Sequence, residues 1–170
     1  MGQGLHGLAQ CAGLWIAPKP GCVGSAQFQP HPVRSTVMPT LLLKVSPLQN
    51  PAEYHALATE LTQLTAEVLH KLRGVTVVII EDIPAARWHI GGQVVDRPTA
   101  FLEISITAGT NTDAEKAAFV AKAYAAIQAV LAPWGSLAQA SYVVVRELPA
   151  ANWGFGGQTQ AGRRAALAMA

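Results

Sequence analysis

Two stretches of the chain alternate in the way a half-buried strand should. In PTLLLKV (39–45), Leu41, Leu43 and Val45 fall on one face and Leu42 and Lys44 on the other. AFLEISI (100–106) has a similar texture. Each is followed by a helical pattern. Asn50 can cap a helix, Pro51 suits the first helical position and Glu53 completes a capping box. Tyr54, Leu57, Leu61, Leu64, Val68 and Leu72 then recur at helical spacing. Thr112 with Glu115 is a second capping box, followed by Val120, Tyr124, Ile127 and Leu131. Two runs, VTVVII (75–80) and YVVV (142–145), are apolar almost throughout, as expected of strands covered on both faces.

These elements form an internal repeat. Pro-Ala-Ala-x-Trp-x-x-Gly-Gly-Gln occurs at 84–93 and again at 149–158, an offset of 65. The strands at 39–45 and 100–106 are offset by 61, and so are Asn50 and Asn111. Each half reads β-α-β plus a hairpin. Such a unit favours a parallel strand pair with a right-handed crossover. The fold class is therefore α+β: two β-α-β repeats, a four-stranded mixed sheet and two helices on one face. A repeat unit cannot bury its apolar face alone, and here its partner lies in the same chain. The second sheet face is also apolar and is expected to meet neighbouring subunits.

The expected domain is 39–160, with repeats at 39–97 and 98–160. Residues 1–38 have a different texture: rich in Gly, Pro, Gln and Ala, and free of Asp and Glu. They read as a disordered extension or as a start assigned too early, and 161–170 as a C-terminal tail. The chain has 170 residues, a formal net charge of +2 and only 13% charged residues. No basic stripe points to nucleic acid, and no apolar run in the sequence suggests a membrane span. Cys11 and Cys22 both lie in the N-terminal segment. A disulfide between them is possible; the rest of the chain has no cysteine, which fits a reducing cytoplasm. No cofactor or metal is expected.

Met38-Pro39 opening a strand, a helix about eleven residues later and an apolar strand ending in a Gly-Gly hairpin resemble the tautomerase superfamily. VVIIEDIPAARWHIGG (77–92) resembles the corresponding stretch of 4-oxalocrotonate tautomerase. Two copies in one chain resemble longer members such as macrophage migration inhibitory factor. The resemblance covers about residues 39–160. It implies a homotrimer with active sites between subunits. It also implies a cofactor-independent keto–enol tautomerase acting on a small 2-keto or enol acid, with an N-terminal proline as general base.

Carried onto this sequence, Pro39 matches the catalytic proline, which requires removal of residues 1–38. Lys71 falls at a site-lysine position, Tyr142 where a site tyrosine arrives from the next subunit, and Thr107 near a site-lining position. Trp88, Ile90, Trp153 and Phe155 could wall the site. Arg146, two strand positions past Val144, shares a face with Tyr142 and could hold a carboxylate. The two arginines that grip dicarboxylates in 4-oxalocrotonate tautomerase have no match. Gln49 and Thr110 stand at one position, Val77 and Tyr142 at the other, which counts against substrates with two carboxylates. The second repeat begins with Ala100, so there is at most one proline amine per chain.

An N-terminal proline suits the chemistry. An α-amine titrates near ~8, and apolar walls or a nearby cation lower that further toward working pH. Two other readings use the same residues. One is proline-dependent hydration or dehalogenation of an unsaturated acid. The other is a noncatalytic oligomeric binding protein, in which Pro39 stays in an ordinary amide.

Overall fold

The alternation at 40–46 becomes β1 (Thr40–Ser46), with Leu41, Leu43 and Val45 buried and Leu42 and Lys44 exposed. The computed structural model describes residues 38–47 and 50–169, within the unit His31–Ala170. The expectations for residues 1–37, including any Cys11–Cys22 bridge, and for Gln49 lie outside the described residues.

After β1 come α1 (Pro51–Leu69), β2 (Val77–Asp82) and the short hairpin β3 (His89–Ile90) and β4 (Gln93–Val94). The second repeat supplies β5 (Thr99–Thr107), α2 (Asp113–Leu131), β6 (Tyr142–Leu148), and the hairpin β7 (Gly154–Phe155) and β8 (Gln158–Thr159). Helix α3 (Gln160–Ala168) follows, in the stretch set aside as a tail.

Sheet order is β2-β1-β5-β6. The outer pairs are parallel and the central β1–β5 pair is antiparallel, with Thr40 opposite Ser105 and Leu43 opposite Leu102. The two repeats thus meet about a pseudo-twofold axis through the centre of the sheet. Leu41, Leu43, Leu102, Ile104 and Ile106 pack against Leu57 and Leu61 of α1 and Phe119, Ile127 and Leu131 of α2. Each such side chain contributes roughly 1.5–3 kcal/mol by leaving water.

Both N-caps form. Asn50 accepts the Glu53 amide at 3.0 Å, and Thr112 and Glu115 make a reciprocal capping box. Two helix stripes differ from the expected ones. Helix α1 ends at His70, whose φ is 57°, so Leu72 leaves the stripe and is 44% exposed. In α2 the buried residues are Phe119, Ala123, Ile127 and Leu131, while Val120 is exposed. Alanine is so frequent in α2 that periodicity does not single out one face. The same composition gives Asp113–Trp134 the length and apolarity of a membrane span, more than the sequence reading allowed. Its inward residues nevertheless pack in the core of this domain.

Among the described residues no element covers the second sheet face. Val77, Ile79, Leu42 and Tyr142 are all exposed there. β2 and β6 were expected to be covered on both faces, and within one chain they are covered on one.

Candidate active site

Pro39 stands just before β1 and is buried. Its carbonyl accepts the Val77 amide at 3.2 Å, tying it to the start of β2. Since Thr40 lies opposite Ser105, the register carried one step further sets Pro39 beside Ile106, at the end of β5. In this chain its nitrogen is bonded to Met38.

Lys71 arrives at the same end. The left-handed turn at His70 sends the chain back from α1, and the Lys71 amide bonds to the Thr65 carbonyl. Only 5% of Lys71 is exposed. Its Nζ donates to Thr110 Oγ1 at 2.9 Å, and Thr110 Oγ1 donates to the Thr107 carbonyl at 2.7 Å. The Thr107 hydroxyl in turn accepts Trp153 Nε1 at 3.1 Å. A continuous set of hydrogen bonds therefore runs from Lys71, at the end of the first repeat, to the hairpin of the second.

Burial drives the Lys71 ammonium from its usual 10.5 down to about 8. Glu115 opposes that change, Arg164 adds to it and Glu147 opposes it again. Glu115 is held below the usual carboxylate range, chiefly by the Thr112 backbone amide. Glu147 is held low by Lys116, at 3.0 Å, and by the Gly109 amide, at 3.1 Å.

The remaining expected residues lie elsewhere. Tyr142 is 61% exposed at the start of β6, and Trp88 follows β2. Both are at the opposite end of the sheet, since Tyr142 pairs with Phe101 and Phe101 with Lys44. An open groove of about 680 Å³, lined by Tyr142, Ile90, Val94, Arg97 and Ala138, lies there too, away from Pro39. Arg146 is closer, in the cross-strand row of Thr40 and Ser105, but its guanidinium is paired with Glu103 at 3.4 Å. One chain thus assembles Pro39, Lys71 and Thr107, and leaves Tyr142 and Trp88 apart. Among the described residues no three His, Cys, Asp or Glu side chains form a group able to hold a metal ion.

Sequence reasoning treated Trp153 as one of several apolar walls and passed over α3. Both had a signal. The indole lies beside Thr107 because the hairpin repeats, and Thr159 before QAGRRAAL (160–167) is a helix cap. Gln160 N–H bonds to the Trp153 carbonyl and Ala161 N–H to the Ala150 carbonyl, so α3 is tied to this end of the sheet.

The fold is that of a known class. The chain is similar to an asymmetric trimer of a wild-type fused 4-OT, at 27% identity over 72% of this chain and 96% of that one, with a TM-score of 0.62. A native fused 4-OT matches at 24% identity over 73% and 96%, with a TM-score of 0.58. A macrophage migration inhibitory factor-like protein from Entamoeba histolytica matches in fold at 17% identity over 71% and 97%, with a TM-score of 0.57. No protein-family profile and no curated protein sequence matches the chain. The fold is that of the tautomerase superfamily, in its fused two-repeat form.

Proposed function

We propose that this protein is a cofactor-independent tautomerase acting on a small 2-keto or enol acid, working as a homotrimer. Pro39 is the base once residues 1–38 are removed. The observation that carries this reading is that Pro39 and the buried Lys71 both lie at the Thr107 end of the sheet. The similarity to fused 4-OT structures supports it.

The steps follow from the residues. A free Pro39 is a secondary amine fixed in a ring, so its lone pair cannot rotate away. Low-dielectric surroundings and the Lys71 cation disfavour its protonated form and keep it basic near neutral pH. The amine takes a proton from carbon 3 of the keto acid, and the electron pair moves onto the carbonyl oxygen as an enolate. Lys71 offsets that developing charge or holds the substrate carboxylate. Return of the proton to oxygen completes the enol, and the reverse path completes ketonisation.

Two features support the trimer. The fused 4-OT neighbours are trimers. The apolar sheet face of one chain also leaves Leu42, Val77 and Ile79 in water. Tyr142 and Trp88, at the far end of the sheet, would then line the next subunit's site rather than their own.

The test is to sequence the N-terminus of the protein made from its own gene context and assay that preparation with phenylenolpyruvate. Pro39 at the N-terminus, with turnover lost in Pro39→Ala, is the expected result. A retained Met1 without turnover would overturn the proposal and leave the binding-protein reading. Pro39 exposed without turnover would redirect attention to hydration or dehalogenation, checked by halide release from a haloacrylate.

A further inference from the structure

Lys71 is the buried lysine of the described residues, and its partners differ from those of the others. Lys44 pairs with Glu81 at 3.9 Å, and Lys116 with Asp113 at 2.8 Å and Glu147 at 3.0 Å. Lys71 is 5% exposed, and among the described residues no carboxylate pairs with it. The carboxylates nearest in effect are engaged elsewhere. Glu115 accepts the Thr112 amide at 2.8 Å and Asn111 Nδ2 at 3.2 Å, and lies 3.2 Å from His70 Nε2. Glu147 accepts the Gly109 amide and Lys116. A buried ammonium without a counter-ion is costly, and a lysine relieves that cost by shedding its proton. Arg164 of α3 adds to the effect of burial, Glu115 and Glu147 oppose it, and the balance brings Lys71 down to about 8.

The hydrogen bonds around Nζ also fix what a neutral amine could do there. Nζ donates to Thr110 Oγ1 at 2.9 Å. A hydroxyl carries one proton. The Thr107 carbonyl, at 2.7 Å, and Asn111 Oδ1, at 3.3 Å, are the acceptors for the one on Thr110. Thr110 therefore accepts from Lys71 and does not donate to it. Once Nζ is neutral, an N–H holds the nitrogen in place while its lone pair stays unengaged. Desolvation of that kind is what turns a lysine into a nucleophile toward carbonyl groups.

We propose that Lys71 is a covalent binding site for small 2-keto acids in the chain whose Pro39 nitrogen is an amide. The neutral Nζ adds to the carbonyl carbon. A C–N bond forms, the C=O π pair moves onto oxygen, and that oxygen takes up a proton as nitrogen gives one up. The hydroxyl then leaves with the second nitrogen proton as water, and the C=N bond of an imine remains. Nothing is oxidised or reduced. The substrate class rests on reading the Pro39 end as a keto-acid site; the nucleophile does not. At neutral pH the larger fraction of Lys71 is the ammonium used above, and the smaller neutral fraction reacts.

The test uses the full 170-residue chain, in which Pro39 offers no amine. The protein is incubated with pyruvate and sodium borohydride at pH 8, digested and mapped by mass, since borohydride converts an imine into a stable secondary amine. About half of Lys71 is neutral there, against roughly one part in 300 of a lysine that ionises at 10.5. The adduct should form on Lys71 at least roughly tenfold faster than on the exposed Lys44 and Lys122. Its rate should level off above about pH 8, while theirs keeps rising toward 10.5. The Met1 α-amine also reacts, and mapping separates its peptide. No adduct on Lys71, or adducts shared among the lysines according to exposure, would overturn the proposal. The Pro39 reading would survive that result, because it concerns the chain beginning at 39. Trapping of propanal but not pyruvate on Lys71 would overturn the keto-acid class. Rapid labelling of Lys71 beside a chain from 39 that turns over no phenylenolpyruvate would support the covalent site and overturn the tautomerase.

Discussion

Lys71 Nζ and Thr110 Oγ1 lie 2.9 Å apart, joining the end of the first helix to the loop before the second across 39 positions of sequence. The contact satisfies one ammonium proton and leaves the charge in a largely dry place. The result is an amine that ionises near 8 rather than 10.5. In the unfolded chain the same group keeps its ordinary value. Between about pH 8 and 10.5 the unfolded state therefore binds more protons than the folded state, and this group makes the fold more stable as pH rises. The gain is at most about 3 kcal/mol, from the ~1.4 kcal/mol carried by each pKa unit. Denaturant unfolding at pH 7 and pH 10.5 should show it as a difference between wild type and Lys71→Met. The variant should be the more stable relative to wild type at pH 7, and that advantage should shrink at the higher pH. An advantage that does not change with pH would mean the ammonium is better solvated than its 5% exposure implies.

The Trp153 indole and the Thr107 hydroxyl make the next link, at 3.1 Å. Thr107 is fully buried, so Thr107→Val keeps its shape and removes the acceptor. The indole N–H is then stranded, at a cost of about 1–3 kcal/mol. Because Gln160 N–H bonds to the Trp153 carbonyl, the change should be felt in α3 as well. Urea unfolding measures the first effect. Faster amide exchange over 160–168 in Thr107→Val, with little change in α1, measures the second. Uniform exchange across both helices would break the proposed link.

Much of this was legible in the sequence because the repeat states the same instruction twice. Leu41, Leu43 and Val45 alternate with Leu42 and Lys44, and that fixes which face of β1 meets the helices. Asn50 and Thr112 mark the helix starts because each side-chain oxygen meets the amide three residues on. The site was less legible. A pair such as Lys71 and Thr110 depends on how α1 ends, and nothing in the helical period of 51–69 announces the turn at His70. The pairing of Arg146 with Glu103 needs strand register, which alternation alone does not supply. Helix α3 was missed because Leu167 is its only large apolar residue, so no stripe stands out, and the repeat has no counterpart for it.

The repeat also breaks at one position with a physical reason. The hairpin residue after the tryptophan is His89 in the first copy and Gly154 in the second. A Cβ at Gly154 would lie 2.0 Å from the Gln158 carbonyl oxygen, a backbone atom that cannot swing aside. Gly154→Ala should therefore open the β7–β8 hairpin at a cost of about 1–3 kcal/mol, the usual range for overpacking. His89→Ala, in an exposed hairpin position, should stay within about 0.5 kcal/mol. Thermal unfolding compares the two directly. Similar Tm values for both variants would show that the second hairpin relaxes freely.

Tyr142 and Pro39 occupy opposite ends of one sheet, so a role for Tyr142 in the reaction requires two chains. Its exposed ring begins β6 beside Phe101, while Pro39 lies beyond Thr40 at the other end of β1. In a ring of three identical subunits with a head-to-tail interface, each site takes Pro39 from one chain and Tyr142 from its neighbour. Pro39→Ala and Tyr142→Phe then damage different halves of the same site. When chains of the two variants, each beginning at position 39, are unfolded together and refolded at equal concentration, random assembly rebuilds intact sites. About one site in four draws both wild-type residues. The mixture should recover close to a quarter of wild-type turnover, well above the mean of the two variants refolded alone. A mixture that matches that mean would remove Tyr142 from the chemistry and leave each site to a single chain's Pro39 and Lys71.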